Sequence, residues 1–293
     1  MDNGNYLPNN LQESKDTEQK KRVSSFFDQS DVWHGKLYDE QSDRLNRMVT
    51  RRKQYIFEML EKVSIEKGAK VLDIGCGAGE YSRELRSMGF EVFGLDASEG
   101  MLDACKNRLG MPDGDFQKHF RLGDIEHLPF GDKQFGLVLC IGVLPYLLDD
   151  REALDEVARV TAPGGVFVIS VKNLYSLSNL DTIARRRLGA VLRRRRLNGD
   201  SVLWEGNPAQ GSYRLRYHNR GSLLRSLKER GLELITDRTL GYEYRVLRRL
   251  GLAPETLLAG SEIFFEKLFS NRNVPYFPYS GESYIGIFRK KRD

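Results

Sequence analysis

The chain has 293 residues, 40% of them hydrophobic and 30% charged, with a formal net charge of +5. That hydrophobic share suffices for a sizeable core. No apolar run approaches the roughly 18–20 residues that span a bilayer, and the first 22 residues hold no apolar stretch of the signal-peptide kind. A soluble globular protein is expected. Three cysteines, Cys76, Cys105 and Cys140, with no CxxC pair among them, argue against a disulfide framework and a cysteine-rich zinc site. A reducing cytoplasm is the expected compartment. The charge is uneven: seven arginines lie in Arg185–Arg196 (RRRLGAVLRRRR), and without them the chain goes from +5 to −2. A surface that coats nucleic acid is not expected.

Residues 1–22 are polar and read as a disordered tail. Apolar spacing at Val23, Phe26, Phe27, Val32, Trp33, Leu37 and Tyr38, then at Ile56, Met59, Leu60 and Val63, predicts two helices within 23–64. From residue 65 strand and helix alternate. AKVLDIG is a buried strand ending in glycines, EYSRELRSMG a helix closing at Gly89, FEVFGLD a strand and SEGMLDACKNRL a helix. FRLGDI and FGLVLCIGV are strands, REALDEVARVT is a helix, Pro163-Gly164-Gly165 is a turn, and VFVISVKN is a strand. This alternation over 65–173 predicts a parallel sheet with helices on both faces. Residues 174–212 break the rhythm and read as an insertion: a basic amphipathic helix from Leu180 to Arg196, then a Gly/Asn/Pro/Gln-rich loop. The helix SLLRSLKERG, the strand LELITDRTLG, helical segments around 245–270 and the strand ESYIGIFRKK, within 213–293, complete a single domain.

The most informative stretch is VLDIGCGAGEY. Gly75, Gly77 and Gly79 follow a buried strand and open a helix, so a ligand can approach the backbone closely and meet helix-N-terminal amides. Asp96 ends the next strand, where a carboxylate can accept hydrogen bonds from both hydroxyls of a ribose. The spacing is GxGxG and not the GxGxxG that seats a pyrophosphate, which disfavours a nicotinamide dinucleotide. Asp73, two residues before the first glycine, suits a ligand that bears an amino group.

These residues resemble motif I of the class I S-adenosylmethionine-dependent methyltransferases. GLDAS resembles their ribose-binding acid, GDIEHLPF the loop after strand three, LVLCIGVLPYL the strand-four segment beside the methyl-transfer centre, and VARVTAPGGVFVISVKN the turn and strand five. The resemblance covers roughly residues 65–175. It implies a doubly wound, Rossmann-like α/β fold with a seven-stranded, mostly parallel sheet whose last strand is antiparallel. It also implies S-adenosylmethionine as cofactor. Carried over position by position, it places Gly75 and Gly77 at the methionine moiety through their backbone, with Asp73 or a water near it supporting the amino group and with Cys76 and Gly79 among the cofactor-binding residues. Asp96 would hold the ribose, with Ala97, Ser98 and Met101 around it. Asp124 and Ile125 would flank the adenine, and Ile141 and Gly142 would line the sulfonium side. SSFFDQSDVWHGKLYDE resembles the helical lid of small-molecule methyltransferases, with Trp33 and Tyr38 either stacked over the ligands or packed on the sheet.

A sulfonium carries its own leaving group, so the protein mainly aligns a nucleophile and excludes water. A hydroxyl acceptor usually needs a base. His34 in the lid and Tyr146 after strand four are the candidate catalytic residues, Tyr146 being equally readable as core. His127 reads as a loop residue, and His218 leads into a helix capped by Asn219 or Ser222. The segment Val143-Leu144-Pro145-Tyr146 lacks the polar residue and first proline of the adenine N6 methyltransferases. No metal site is expected. The arginine helix Arg185–Arg196 has three readings: a solvated helix, contact with an anionic membrane surface, or a site for substrate phosphate or carboxylate. Tyr276, Phe277 and Tyr279 are candidate pocket residues. The expected function is methyl transfer to a small-molecule or lipid-linked acceptor, first to an oxygen, in the cytoplasm or on the inner face of the membrane. An RNA methyltransferase and a non-catalytic cofactor-binding subunit are the alternatives.

Overall fold

The structure is a computed structural model and describes residues 9–29, 44–176, 179, 203–206, 213–241 and 281–292. His34, Trp33, Tyr38, the segment Arg185–Arg196 and Tyr276, Phe277 and Tyr279 lie outside the described residues.

Two helices, α1 (Asn9–Asp28) and α2 (Arg44–Leu60), precede a seven-stranded sheet. The strands in it are β1 (Lys70–Ile74), β2 (Glu91–Asp96), β3 (Phe120–Leu122), β4 (Phe135–Ile141), β5 (Thr161–Lys172), β8 (Leu232–Leu240) and β9 (Ser283–Lys290). Their order is β3-β2-β1-β4-β5-β9-β8, and only β9 runs against its neighbours. The helices between them are α3 (Glu80–Ser87), α4 (Glu99–Leu109), α5 (Asp113–His119), α6 (Arg151–Val160) and α7 (Arg220–Glu229). A separate hairpin pairs β6 (Leu203–Gly206) with β7 (Arg214–Tyr217).

The central strands are continuous apolar runs because both faces are covered, as a parallel sheet requires. Side chains alternate between the two faces. Leu72, Val138, Cys140, Phe167 and Ile169 pack beneath α6 and α7, against Leu154, Val157, Leu223 and Leu227. Val71, Leu137, Leu139, Val166 and Val168 face the other way, onto Ile56 of α2, Leu85 of α3 and Cys105 of α4.

Three local expectations are corrected, and one short helix, α5, adds to the expected elements. The tail expected to be disordered is helical from Asn9, as part of α1. The helix is held by long-range polar contacts described below, which a lack of apolar residues does not reveal. The stretch before β3 contains the short helix α5, pinned by Phe116 stacked on Phe120 at 4.8 Å. The turn expected at Pro163-Gly164-Gly165 is the irregular start of β5. Thr161 pairs with Phe135, then the register slips and Val166 pairs with Leu137. The expected loop of the insertion contains β6.

The turn from β1 into α3 has no room for a side chain at Gly75 or Gly79. Gly75 and Gly79 both have left-handed backbone, with φ of 65° and 79°. A Cβ on Gly79 would lie 2.6 Å from Cys105 Sγ, so this glycine serves the packing of α3 against α4. Gly79→Ala should therefore lower stability by about 1–3 kcal/mol, through overpacking and left-handed strain. A urea midpoint equal to that of wild type would contradict this packing.

Candidate active site

β1 and β4 are neighbours, but the chain leaves β1 toward β2 and leaves β4 toward β5. The crevice at their carboxyl ends is the topological switch point where such sheets bind ligands. A cavity of about 880 Å³ opens there, within the range of small-molecule sites. One half lies over β1, β2 and β3, bordered by Gly75, Gly77, Asp96 and Asp124. The other lies over β4, β5 and β9, bordered by Ile141, Gly142, Ser170, Lys172 and Ser283.

Of the residues expected to hold cofactor, Gly75, Cys76, Gly77, Asp96, Ala97, Ser98, Met101, Asp124, Ile125, Ile141 and Gly142 all line this one cavity. Gly77 has open space where a Cβ would sit, whereas a Cβ on Gly75 would strike Val143 at 2.2 Å. Asp96 has each carboxylate oxygen fixed by a backbone N–H, Oδ2 by Gly77 at 2.8 Å and Oδ1 by Ser98 at 3.0 Å. Each oxygen keeps a lone pair for a further donor. Burial raises the Asp96 carboxyl above its ordinary range, and these amides oppose the rise. Ser98 caps α4, its hydroxyl accepting from the Met101 N–H at 3.1 Å.

Asp73 and Gly79 do not line the cavity. Asp73 is buried in β1 and accepts a hydrogen bond from the Ser82 hydroxyl at 2.7 Å. Cys76 is buried, with its thiol raised by the bond to Cys105 and by burial, so it is a packing group and not a nucleophile. Tyr146 does line the cavity. Burial, with Tyr213 beside it, raises its phenol well above the ordinary range, and Arg52 only partly offsets this. Tyr146 thus stands in the cavity wall beside Tyr213. His127 sits in the exposed loop after β3, its N–H bonded to Asp124 O. His218 is buried and bonded to Asp150 at 3.1 Å, while Asn219 caps α7.

Several residues of the site escaped the sequence pattern. Helix α1 crosses both halves. Gln19 donates to Tyr146 O and Arg214 O at 3.0 and 2.8 Å and accepts from Arg214 N–H at 3.0 Å. Lys20 bonds Asp124 at 2.8 Å and also Glu126, and Ser24 donates to Ala97 O at 2.9 Å. Asp28 accepts from Ser98 Oγ at 2.6 Å and Gly100 N–H at 3.1 Å. Partial burial works against the Lys20 charge, but the two carboxylates outweigh it and hold the ammonium above its ordinary range. Arg52 of α2 also borders the cavity, near Gly142, where a Cβ would lie 3.3 Å from Nη1. Glu80, buried at the start of α3, ties three helices together through Lys53 at 2.5 Å and Arg108 at 2.7 Å. Among the described residues no His/Cys/Asp/Glu cluster suits a metal ion, and no helix is long and apolar enough to cross a membrane.

Comparison with known proteins agrees with this geometry. A family model described as "Methyltransferase domain" matches residues 72–169. A malonyl-[acyl-carrier protein] O-methyltransferase of Serratia marcescens is 32% identical over 224 residues, 73% of this chain and 80% of that protein. A demethylmenaquinone methyltransferase of Paenarthrobacter aurescens is 37% identical over 133 residues, 45% of this chain and 49% of that protein. The chain thus spans four-fifths of the first relative and about half of the second. A solved S-adenosylmethionine-dependent methyltransferase from Methanosarcina mazei has the same fold, with a TM-score of 0.55 at 18% identity, over 80% of this chain and 98% of that one. The chain belongs to the class I S-adenosylmethionine-dependent methyltransferases. It is a methyltransferase whose cofactor is S-adenosylmethionine.

Burial pushes the Asp73 carboxyl up to about 7 from an ordinary 3.8, against the Ser82 hydroxyl. Between about pH 4 and pH 7 the folded chain keeps a proton that the unfolded chain has released, so this group costs stability as pH rises through that window. Asp73→Asn removes the titration. The difference in urea midpoint, variant minus wild type, should move in the variant's favour from pH 5 to pH 8. A difference that stays constant with pH would contradict the burial.

Proposed function

We infer that the half of the cavity over β1–β3 holds S-adenosylmethionine and the half over β4, β5 and β9 holds a small-molecule or lipid-linked acceptor, methylated on oxygen. The observation that carries this reading is Asp96. It is a carboxylate at the end of β2 with one backbone amide on each oxygen, facing the crevice beside an open Gly77. That arrangement suits a vicinal diol. The bound sulfonium supplies an activated methyl group with its leaving group attached.

The chain's own residues bind, orient and seal. Gly77 lets the ligand reach the backbone. Ile125 presents its backbone beside Asp124 at the adenine end, where Lys20 shares the Asp124 carboxylate. Arg52 supplies a cation beside Gly142, suited to the carboxylate of the methionine end. Helix α1, clamped to the loops after β2, β3 and β4, excludes water from the reacting atoms. The name of the Serratia relative, an O-methyltransferase, supports oxygen as the acceptor atom.

Asp96→Ala removes charge-assisted bonds worth about 1.5–3 kcal/mol each, so it should weaken binding of S-adenosylhomocysteine by roughly 10- to 100-fold or more. Calorimetric titration of wild type and variant measures this directly. An unchanged dissociation constant would overturn the assignment of the cofactor half.

A further inference from the structure

The acceptor half has a composition of its own. Four aromatic rings from three separate segments meet there. Phe26 lies 5.2 Å from Tyr213, Phe27 lies 5.2 Å from Tyr146, and Tyr146 lies 5.6 Å from Tyr213, centroid to centroid. All four rings border the cavity. Tyr217 of β7 continues the wall, with the ammonium of Lys172 over its ring at 5.5 Å. Walls made of rings present flat, rigid surfaces with negative faces and positive edges, which suit a flat conjugated guest in edge-to-face or offset contact.

The charged groups of this half are few. Lys172 and Arg52 are cations, and Glu282 before β9 is the carboxylate. Arg52 lies against Gly142, on the cofactor side of the half. Lys172 stands farther out. Ser170 is paired with Ile141 across the sheet, and Lys172 follows Ser170 by two residues, so both project from the same face of β5, roughly 6–7 Å apart along the strand. The Lys172 ammonium lies over the Tyr217 ring, 5.5 Å from its centroid, and borders the same half of the cavity as Ile141 and Gly142.

We propose that the acceptor is a planar aromatic molecule bearing an acidic hydroxyl, its ring held against the Tyr146, Tyr213 and Tyr217 wall and its oxyanion held by Lys172. This rests on the reading of the two cavity halves given above. Lys172 acts as the electrostatic partner of the reacting oxygen. The acceptor releases its hydroxyl proton to solvent on binding. The oxyanion lone pair then forms the new O–CH3 bond while the S–CH3 bond breaks with its electron pair going to sulfur, so anion and sulfonium become two neutral products. No protein base is required. The charged and ionisable groups that border this half together with Lys172 are Glu282 before β9, Arg52 from α2 and the phenols of Tyr146, Tyr213 and Tyr217.

The test uses 4-nitrophenol, whose phenolate has its own visible absorbance, titrated into the full chain saturated with S-adenosylhomocysteine. Bound to wild type, the chromophore is expected to ionise at least one pH unit below the free phenol, a shift one nearby cation readily produces. Lys172→Met should abolish that shift and weaken phenolate binding at least tenfold, while Lys172→Arg should restore most of both. Binding of S-adenosylhomocysteine should stay within twofold in each variant, as measured by calorimetry. Failure of the saturated wild-type chain to bind 4-nitrophenol would overturn the proposal, as would an ionisation unmoved from the free phenol or a shift that survives in Lys172→Met. Failure of S-adenosylhomocysteine itself to bind wild type would instead overturn the cofactor reading on which the proposal stands.

Discussion

The turn that leaves β1 constrains everything around it. It must pass between Val143 on one side and Cys105 on the other, where a Cβ at Gly75 or Gly79 would fall at 2.2 or 2.6 Å. Only left-handed, side-chain-free backbone fits. Once made, the turn aims the first amides of α3 at the crevice between β1 and β4 and brings the Gly77 N–H to the Asp96 carboxylate, 19 residues along the chain. The strand order fixes where that crevice lies, and the turn fixes what can enter it.

Above the crevice the logic changes from steric to polar. Helix α1 is a largely polar helix, and where it touches the domain it does so largely through side chains that bond backbone or buried charge. Gln19 completes a reciprocal pair with Arg214 and caps Tyr146 O, Lys20 neutralises the buried Glu126, and Asp28 supplements the cap of α4. Each bond is modest alone. Removing Lys20 would leave the Glu126 carboxylate, 8% exposed, without the ion pair that justifies its burial. Phe26 and Phe27 add ring contacts to Tyr213 and Tyr146. One helix thus touches the loops after β2, β3 and β4 and the rings of Tyr146 and Tyr213 together.

What could be read from the sequence is what local chemistry dictates. Buried strands showed as β-branched runs, the parallel sheet followed from alternating strand and helix, Gly75, Gly77 and Asp96 stood out because a glycine cluster and a strand-end acid fall in order, and Asp124 came from the family resemblance. Tyr146 was visible as a candidate, but its place among rings depends on Phe27 and Tyr213 from distant segments. The part of α1 before Val23 was hidden because the partners of Gln19 lie 127 and 195 residues away. Arg52 was hidden because its neighbour Arg51 is identical in type, and only the packing of α2 decides which guanidinium meets the cavity. The short helix α5 rests on one stacked pair, Phe116 and Phe120, in a stretch whose glycine and proline suggest a loop.

The central claim is that cofactor lies across the crevice beneath α1. Hydrogen–deuterium exchange of the full chain, with and without saturating S-adenosylhomocysteine, tests it most directly. The account predicts new protection concentrated in four places: the turn at Gly75–Gly79, the loop and helix start at Asp96–Met101, the segment Gly123–Glu126, and the second half of α1 from Gln19 to Asp28. Protection in the loops with none in α1 would contradict the clamp, and protection confined to other parts of the sheet would contradict the site.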